Sequence, residues 1–131
     1  MRVLALDHGE ARCGVAISDP TGAIATPLPA VERPDSEAGL GEIARIVEER
    51  RAELVLVGLP LTLAGEEGEQ ASRARVFAEA LRGKIPVDVE LHDERLTTRL
   101  AERTGGGAGA DSRAAAHLLE SWLARTAVAG E

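Results

Sequence analysis

Aromatic residues are nearly missing from this chain: tyrosine is absent, Phe77 is the one phenylalanine and Trp122 the one tryptophan. Rows of stacking side chains, of the kind that hold single-stranded bases, cannot be built from so few rings. Cys13 is the only cysteine, which excludes an internal disulfide framework and any zinc site made of several thiolates. A reducing cytoplasm is the compartment that fits. Basic residues are outnumbered, 15 against 22 acids, for a formal charge of −7. No bulk positive field draws phosphate backbones to the molecule, so any contact with nucleic acid has to be local. Long apolar runs are missing too. The stretch after Arg2 stops at Asp7, too short for the core of a signal peptide or a membrane span, and no membrane partner is expected.

What is present is a globular balance. With 131 residues, 44% apolar and 28% charged, the chain is expected to form one domain over residues 1–131 around one core. Residues 2–7 (RVLALD) and 12–18 (RCGVAIS) read as strands, and 23–28 (AIATPL) as a third after the turn Asp19-Pro20-Thr21-Gly22. From Asp35 the period changes, with Leu40, Ile43, Ala44 and Val47 on one helical face and Arg50 and Arg51 at its end. Leu54 to Val57 is apolar on both faces, as a central strand covered by helices would be, and stops at Gly58. Ala74, Phe77, Ala78 and Leu81 mark a second helix, whose acidic approach, Glu66, Glu67 and Glu69, reads as a solvated helix start.

Val87, Val89 and Leu91 alternate with Asp88, Glu90 and His92, the pattern of an edge strand with one wet face. Thr97 to Arg103 could begin a helix, 105–110 is a glycine loop, and Ala115, Leu118, Leu119 and Trp122 stripe a final helix. The order β-β-β-α-β-α-β-α predicts an α/β fold, a mixed five-stranded sheet with helices on both faces and the first and fourth strands central. Ligands on such sheets bind beyond the carboxyl ends of the central strands. The first of these strands ends at Asp7 and the fourth at Gly58.

Three acids approach that end from separate elements, and each has a plainer reading. Asp7 is a turn former or a ligand; Glu94 is a loop acid, free or paired with Arg95; Asp111 is an N-cap or, if helical, an inward carboxylate on the face of Ala115, Leu118 and Trp122. Together they match what two-metal phosphodiester chemistry needs, because Mg²⁺ and Mn²⁺ take carboxylate oxygens. Two such ions would also offset part of the negative charge. His8, His92 and His117 read as solvated, Cys13 as a small core residue and Trp122 as core.

The motifs carry a resemblance. Leu4-Ala5-Leu6-Asp7-His8-Gly9-Glu10-Ala11-Arg12-Cys13-Gly14-Val15-Ala16-Ile17-Ser18-Asp19, then Val57-Gly58-Leu59-Pro60-Leu61 with Gly65, then Asp93-Glu94-Arg95-Leu96-Thr97-Thr98, resemble the RuvX/YqgF family. Asp111 with Ala114-Ala115 and Leu118-Leu119 is similar to its closing motif, so the likeness runs from end to end. It implies an RNase H-like fold and nuclease action in maturing the 5′ end of 16S rRNA in the bacterial cytoplasm; an older reading of the family is a Holliday junction resolvase. By position it implies metal-binding acids at Asp7, Glu94 and Asp111, holding Mg²⁺ or Mn²⁺. Arg12, Arg95, Thr97 and Thr98 would lie near the substrate phosphate, although helix capping by the threonines and a surface ion pair for Arg95 stay open.

The chain departs from the family in two places. Ala11 stands where many relatives have Lys, and the uncharged loop of residues 105–110 replaces a longer basic segment. Weaker backbone binding follows, for which a homodimer or a protein partner would compensate. Two other readings compete: a catalytically weak binding module of ribosome biogenesis or transcription, and a phosphate-binding ATPase domain like those of actin and the sugar kinases. The last needs a second domain to close its cleft, which 131 residues cannot supply.

Overall fold

A computed structural model describes residues 1–93 and 109–129. Five strands form one sheet: β1 (Val3–His8), β2 (Arg12–Ser18), β3 (Ala25–Glu32), β4 (Leu54–Leu59) and β5 (Asp88–Asp93). Their order is β3-β2-β1-β4-β5, with β1 and β2, and β2 and β3, antiparallel, and β4 parallel to both β1 and β5. Among the described residues, three helices cover it: α1 (Glu37–Glu49), α2 (Glu69–Arg82) and α3 (Ala110–Ala129). The expected α/β fold and its element order are thus present, with β1 in the middle and β4 beside it.

Alternation along the strands sorts the core into two layers. Leu4, Leu6, Val15, Val55 and Val57 face α1 and α2, where Leu40, Ile43, Phe77 and Leu81 are buried against them. Val3, Ala5, Ala16, Leu54 and Leu56 face α3 and meet Ala115, Leu118 and Leu119. Trp122 is half-buried against this second layer, and Cys13 is fully buried in the first. The α1 helix starts where the Ser36 hydroxyl accepts from the Gly39 N–H (3.0 Å), with Glu37 in the first turn. A Cβ on Gly39 would stand 2.1 Å from the Arg33 carbonyl oxygen, so glycine lets the helix start press on the preceding loop.

Several boundaries differ from the sequence-based expectation. β3 runs on to Glu32 through Pro27 and Pro29, because it is an edge strand where a missing N–H costs no ladder bond, and the register with β2 shifts between Cys13 and Val15. β4 continues through Gly58 to Leu59, and Arg50 caps α1 from just outside it. Of the three acids before α2 only Glu69 is helical; Glu67 bridges to Leu61 and binds Arg75 through both oxygens at 2.6 Å. Ala110, expected in the glycine loop, is already helical. The expected helix from Thr97 and the loop residues 105–108 lie outside the described residues. Among the described residues, no helix is long and apolar enough to cross a membrane.

Candidate active site

Asp7 lies near the carboxyl end of the central strand and continues the face of Val3 and Ala5, toward α3. Its register partner on β2 is Gly14. That glycine is where α3 lands: a Cβ there would stand 1.9 Å from the Asp111 carbonyl oxygen and 2.9 Å from the Ser112 nitrogen. Only a residue without a side chain lets the helix start approach so closely. Ser112, 3% exposed, locks the contact by accepting the Val15 N–H on its Oγ at 3.2 Å. Asp7 and the first turn of α3 are therefore brought together across Gly14.

Asp111 sits inside the first turn of α3 rather than capping it, with its side chain about half exposed. The positive end of the helix dipole favours a carboxylate there. Its Oδ2 is 3.9 Å from the Arg12 Nε, so the basic residue of the opening motif stands at the rim of the same site. The Cys13 thiol reports the local field: burial first, then the charges of Asp7, Asp35 and Asp111, push its pKa well above the ordinary thiol value. Asp7 from β1, Asp111 from α3 and Asp35 from the connection before α1 are thus all close enough to act on Cys13. Glu94, Arg95, Thr97 and Thr98 follow β5 in the chain and lie outside the described residues.

Asp7 and Asp111 are hard oxygen donors of the kind that Mg²⁺ and Mn²⁺ take, and Cys13 belongs to the opposite layer of the sheet. A divalent cation thus suits this donor set. Among the described residues no group of three acids, histidines or cysteines is assembled as a metal cluster.

The histidines correct the sequence reading. His8 is not solvated: its side chain is 6% exposed, its Nε2 is 2.8 Å from Asp35 Oδ2, and its ring stacks on Phe77. His92 is buried on the α3 side, 3.3 Å from the Ser121 hydroxyl, and desolvation pulls its pKa below the usual histidine value. His117 is half-buried beside Glu120. Gly14, Ser112 and Asp35 were not singled out from the sequence as parts of the site. Glycine inside an apolar strand was the available signal for the first; no local pattern marks the other two.

The fold is that of the RuvC-type, RNase H-like resolvases. RuvC of Thermus thermophilus, solved in complex with a Holliday junction substrate, matches at a TM-score of 0.60 and 17% identity, covering 96% of both chains. The fowlpox virus Holliday junction resolvase matches at 0.56 and 12%, over 95% of this chain and 99% of that one. Identities this low speak for architecture alone. Sequence similarity goes further: the family model described as RuvX, Holliday junction resolvase, matches residues 1–125. A Rhodococcus jostii protein named "Putative pre-16S rRNA nuclease" is 44% identical over 93% of this chain and 76% of its own length. Its namesake from Sulfurihydrogenibium is 39% identical over 99% of this chain and 94% of its own. The chain belongs to the RuvX family.

Proposed function

We propose that this member of the RuvX family is a nuclease that hydrolyses phosphodiester bonds with divalent cations held by Asp7, Glu94 and Asp111, and that it matures the 5′ end of precursor 16S rRNA. The observation that carries the reading is the approach of Asp7, at the carboxyl end of β1, to the first turn of α3 across the bare backbone of Gly14. The names of the curated relatives support the choice of RNA.

Mg²⁺ or Mn²⁺ bound here would supply the positive charge that activates water and stabilises the departing oxygen. Asp7 offers its oxygens from near the carboxyl end of the central strand. Asp111 offers its own from the first turn of α3. Glu94 completes the set in this proposal, from the segment after β5. Arg12 is exposed and only loosely paired with Asp111, so its guanidinium is free to turn to a substrate phosphate. Arg95, Thr97 and Thr98 are proposed as further phosphate donors. A homodimer would add a second basic rim to a molecule whose net charge is −7.

The test is cleavage of precursor 16S rRNA, a four-way DNA junction and single-stranded DNA by the pure protein, with Mn²⁺ or with chelator. Precursor RNA should be cut in Mn²⁺ only, and Asp7→Asn should abolish cutting with an unchanged melting profile. Full activity in Asp7→Asn refutes the assignment. Faster cutting of the junction than of the RNA moves it to the resolvase reading, which the description of the family model favours.

A further inference from the structure

Beyond Leu6, β1 loses one of its two neighbours. Its parallel pairing with β4 ends at Leu6 and Val57, whereas the antiparallel pairing with β2 continues through Asp7 and Gly14 to His8 and Cys13. Among the described residues, the stretch of strand that carries Asp7 has its ladder with β2.

The opposite face of the sheet holds the next residue of this stretch. His8 follows Asp7 and points the other way, into the α1 and α2 layer. Its ring lies 4.5 Å from that of Phe77, centroid to centroid, at 29°. Phe77 is fully buried in α2, so this wall is rigid. The second wall is Asp35, 2.8 Å from His8 Nε2. Asp35 sits in the β3–α1 connection, which is tied down by the Arg33 N–H donating to the Ala11 carbonyl (2.9 Å) and the Ser36 hydroxyl donating to the Arg33 carbonyl (2.7 Å). An ionised carboxylate can only accept, so Nε2 carries the proton of this bond.

We propose that Phe77, Asp35 and His8 form a clamp that positions Asp7 for cation binding. Phe77 and Asp35 act through the His8 ring, and none of the three contacts cation or substrate. The clamp deepens the reading of Asp7 as a cation ligand and rests on it. Groups that orient ligands from behind commonly matter by ~10–100-fold in metal affinity or activity.

The experiment compares Asp35→Ala, which empties one wall, with Asp35→Asn, whose amide oxygen still accepts from Nε2–H. Three quantities are read: amide hydrogen exchange at Asp7 and His8 in metal-free protein, Mn²⁺ affinity by calorimetry, and kcat and KM on precursor RNA. Asp35→Ala should exchange faster at these two amides, bind Mn²⁺ about 10-fold more weakly and lose about 10-fold in kcat with KM unchanged. Asp35→Asn should restore all three. Wild-type exchange and affinity in Asp35→Ala overturn the clamp, as does an equal loss in both variants. If Asp35→Ala does not fold, His8→Phe, which keeps the stack and loses the bond, is read by the same measurements. Undiminished Mn²⁺ affinity and cleavage in Asp7→Asn overturns instead the reading of Asp7 as a ligand, and the clamp with it.

Discussion

Replacing Gly14 by alanine adds one methyl group at the point where α3 meets the sheet. The new Cβ would stand 1.9 Å from the Asp111 carbonyl oxygen and 2.3 Å from its carbonyl carbon, both main-chain atoms that cannot swing aside. Ordinary contact needs about 3.5 Å, so the start of α3 must retreat by roughly 1.5 Å. Overpacking of this kind costs about 1–3 kcal/mol. The retreat also stretches the 3.2 Å bond from the Val15 N–H to Ser112 Oγ, and a buried donor left alone costs about 1–3 kcal/mol more. Against a total stability of ~5–15 kcal/mol, a loss of about 2–6 kcal/mol is a large fraction of the whole. Urea unfolding at 15 °C measures that loss. Because Asp111 moves with the helix, Mn²⁺-dependent cleavage under folding conditions should fall about 100-fold, as 1 Å displacements in active sites do. A Gly14→Ala protein with wild-type stability and wild-type cleavage would show that α3 does not rest on this glycine and that its seating does not place Asp111.

Ser18 is 1% exposed, and its Oγ accepts the Val3 N–H at 2.8 Å. Ser18→Ala should cost about 1–3 kcal/mol in urea unfolding, through the orphaned N–H, and leave kcat unchanged; a difference within error contradicts the bond. Asp19 accepts from the Thr21 hydroxyl and from the Ala23 and Ile24 N–H groups at 2.8 Å each, bonds that favour the ionised form and hold its pKa well below the ordinary carboxylate value of 3.8. A depressed carboxylate stabilises the fold above its unfolded pKa and ceases to as pH falls through the folded one. Thermal midpoints of wild type and Asp19→Asn should therefore differ at neutral pH and converge as pH drops below 3.8. A constant gap across that window contradicts the assignment.

The faces of the elements were legible because periodicity is local. Leu40, Ile43 and Val47, and Ala74, Phe77, Ala78 and Leu81, repeat at the helical interval and are all buried on the sheet. Leu54 to Val57 alternates between the two core layers, which is why it reads as apolar on both sides. The prolines of β3 hid its second half, since proline counts against a strand until the strand is known to lie at an edge. His8 was misjudged from polarity and from the neighbouring turn, although its place two residues after Leu6 puts it on the core face with Leu4. Residue type spoke louder than alternation, and the contact with Phe77 and Asp35 decided otherwise.

For the site, the local pattern placed Asp7 at the end of a central strand and Asp111 at the head of the last helix, each with an innocuous explanation. Strand and helix preferences, the two apolar layers and the motifs of the RuvX family belong to the chain as written, because each depends on neighbours within a few residues or on spacing along it. Which carboxylates meet belongs to the tertiary structure. The height at which α3 seats on β2 is set by the hollow at Gly14 and by the Ser112 bond to Val15, contacts between segments far apart in the chain that no local preference encodes.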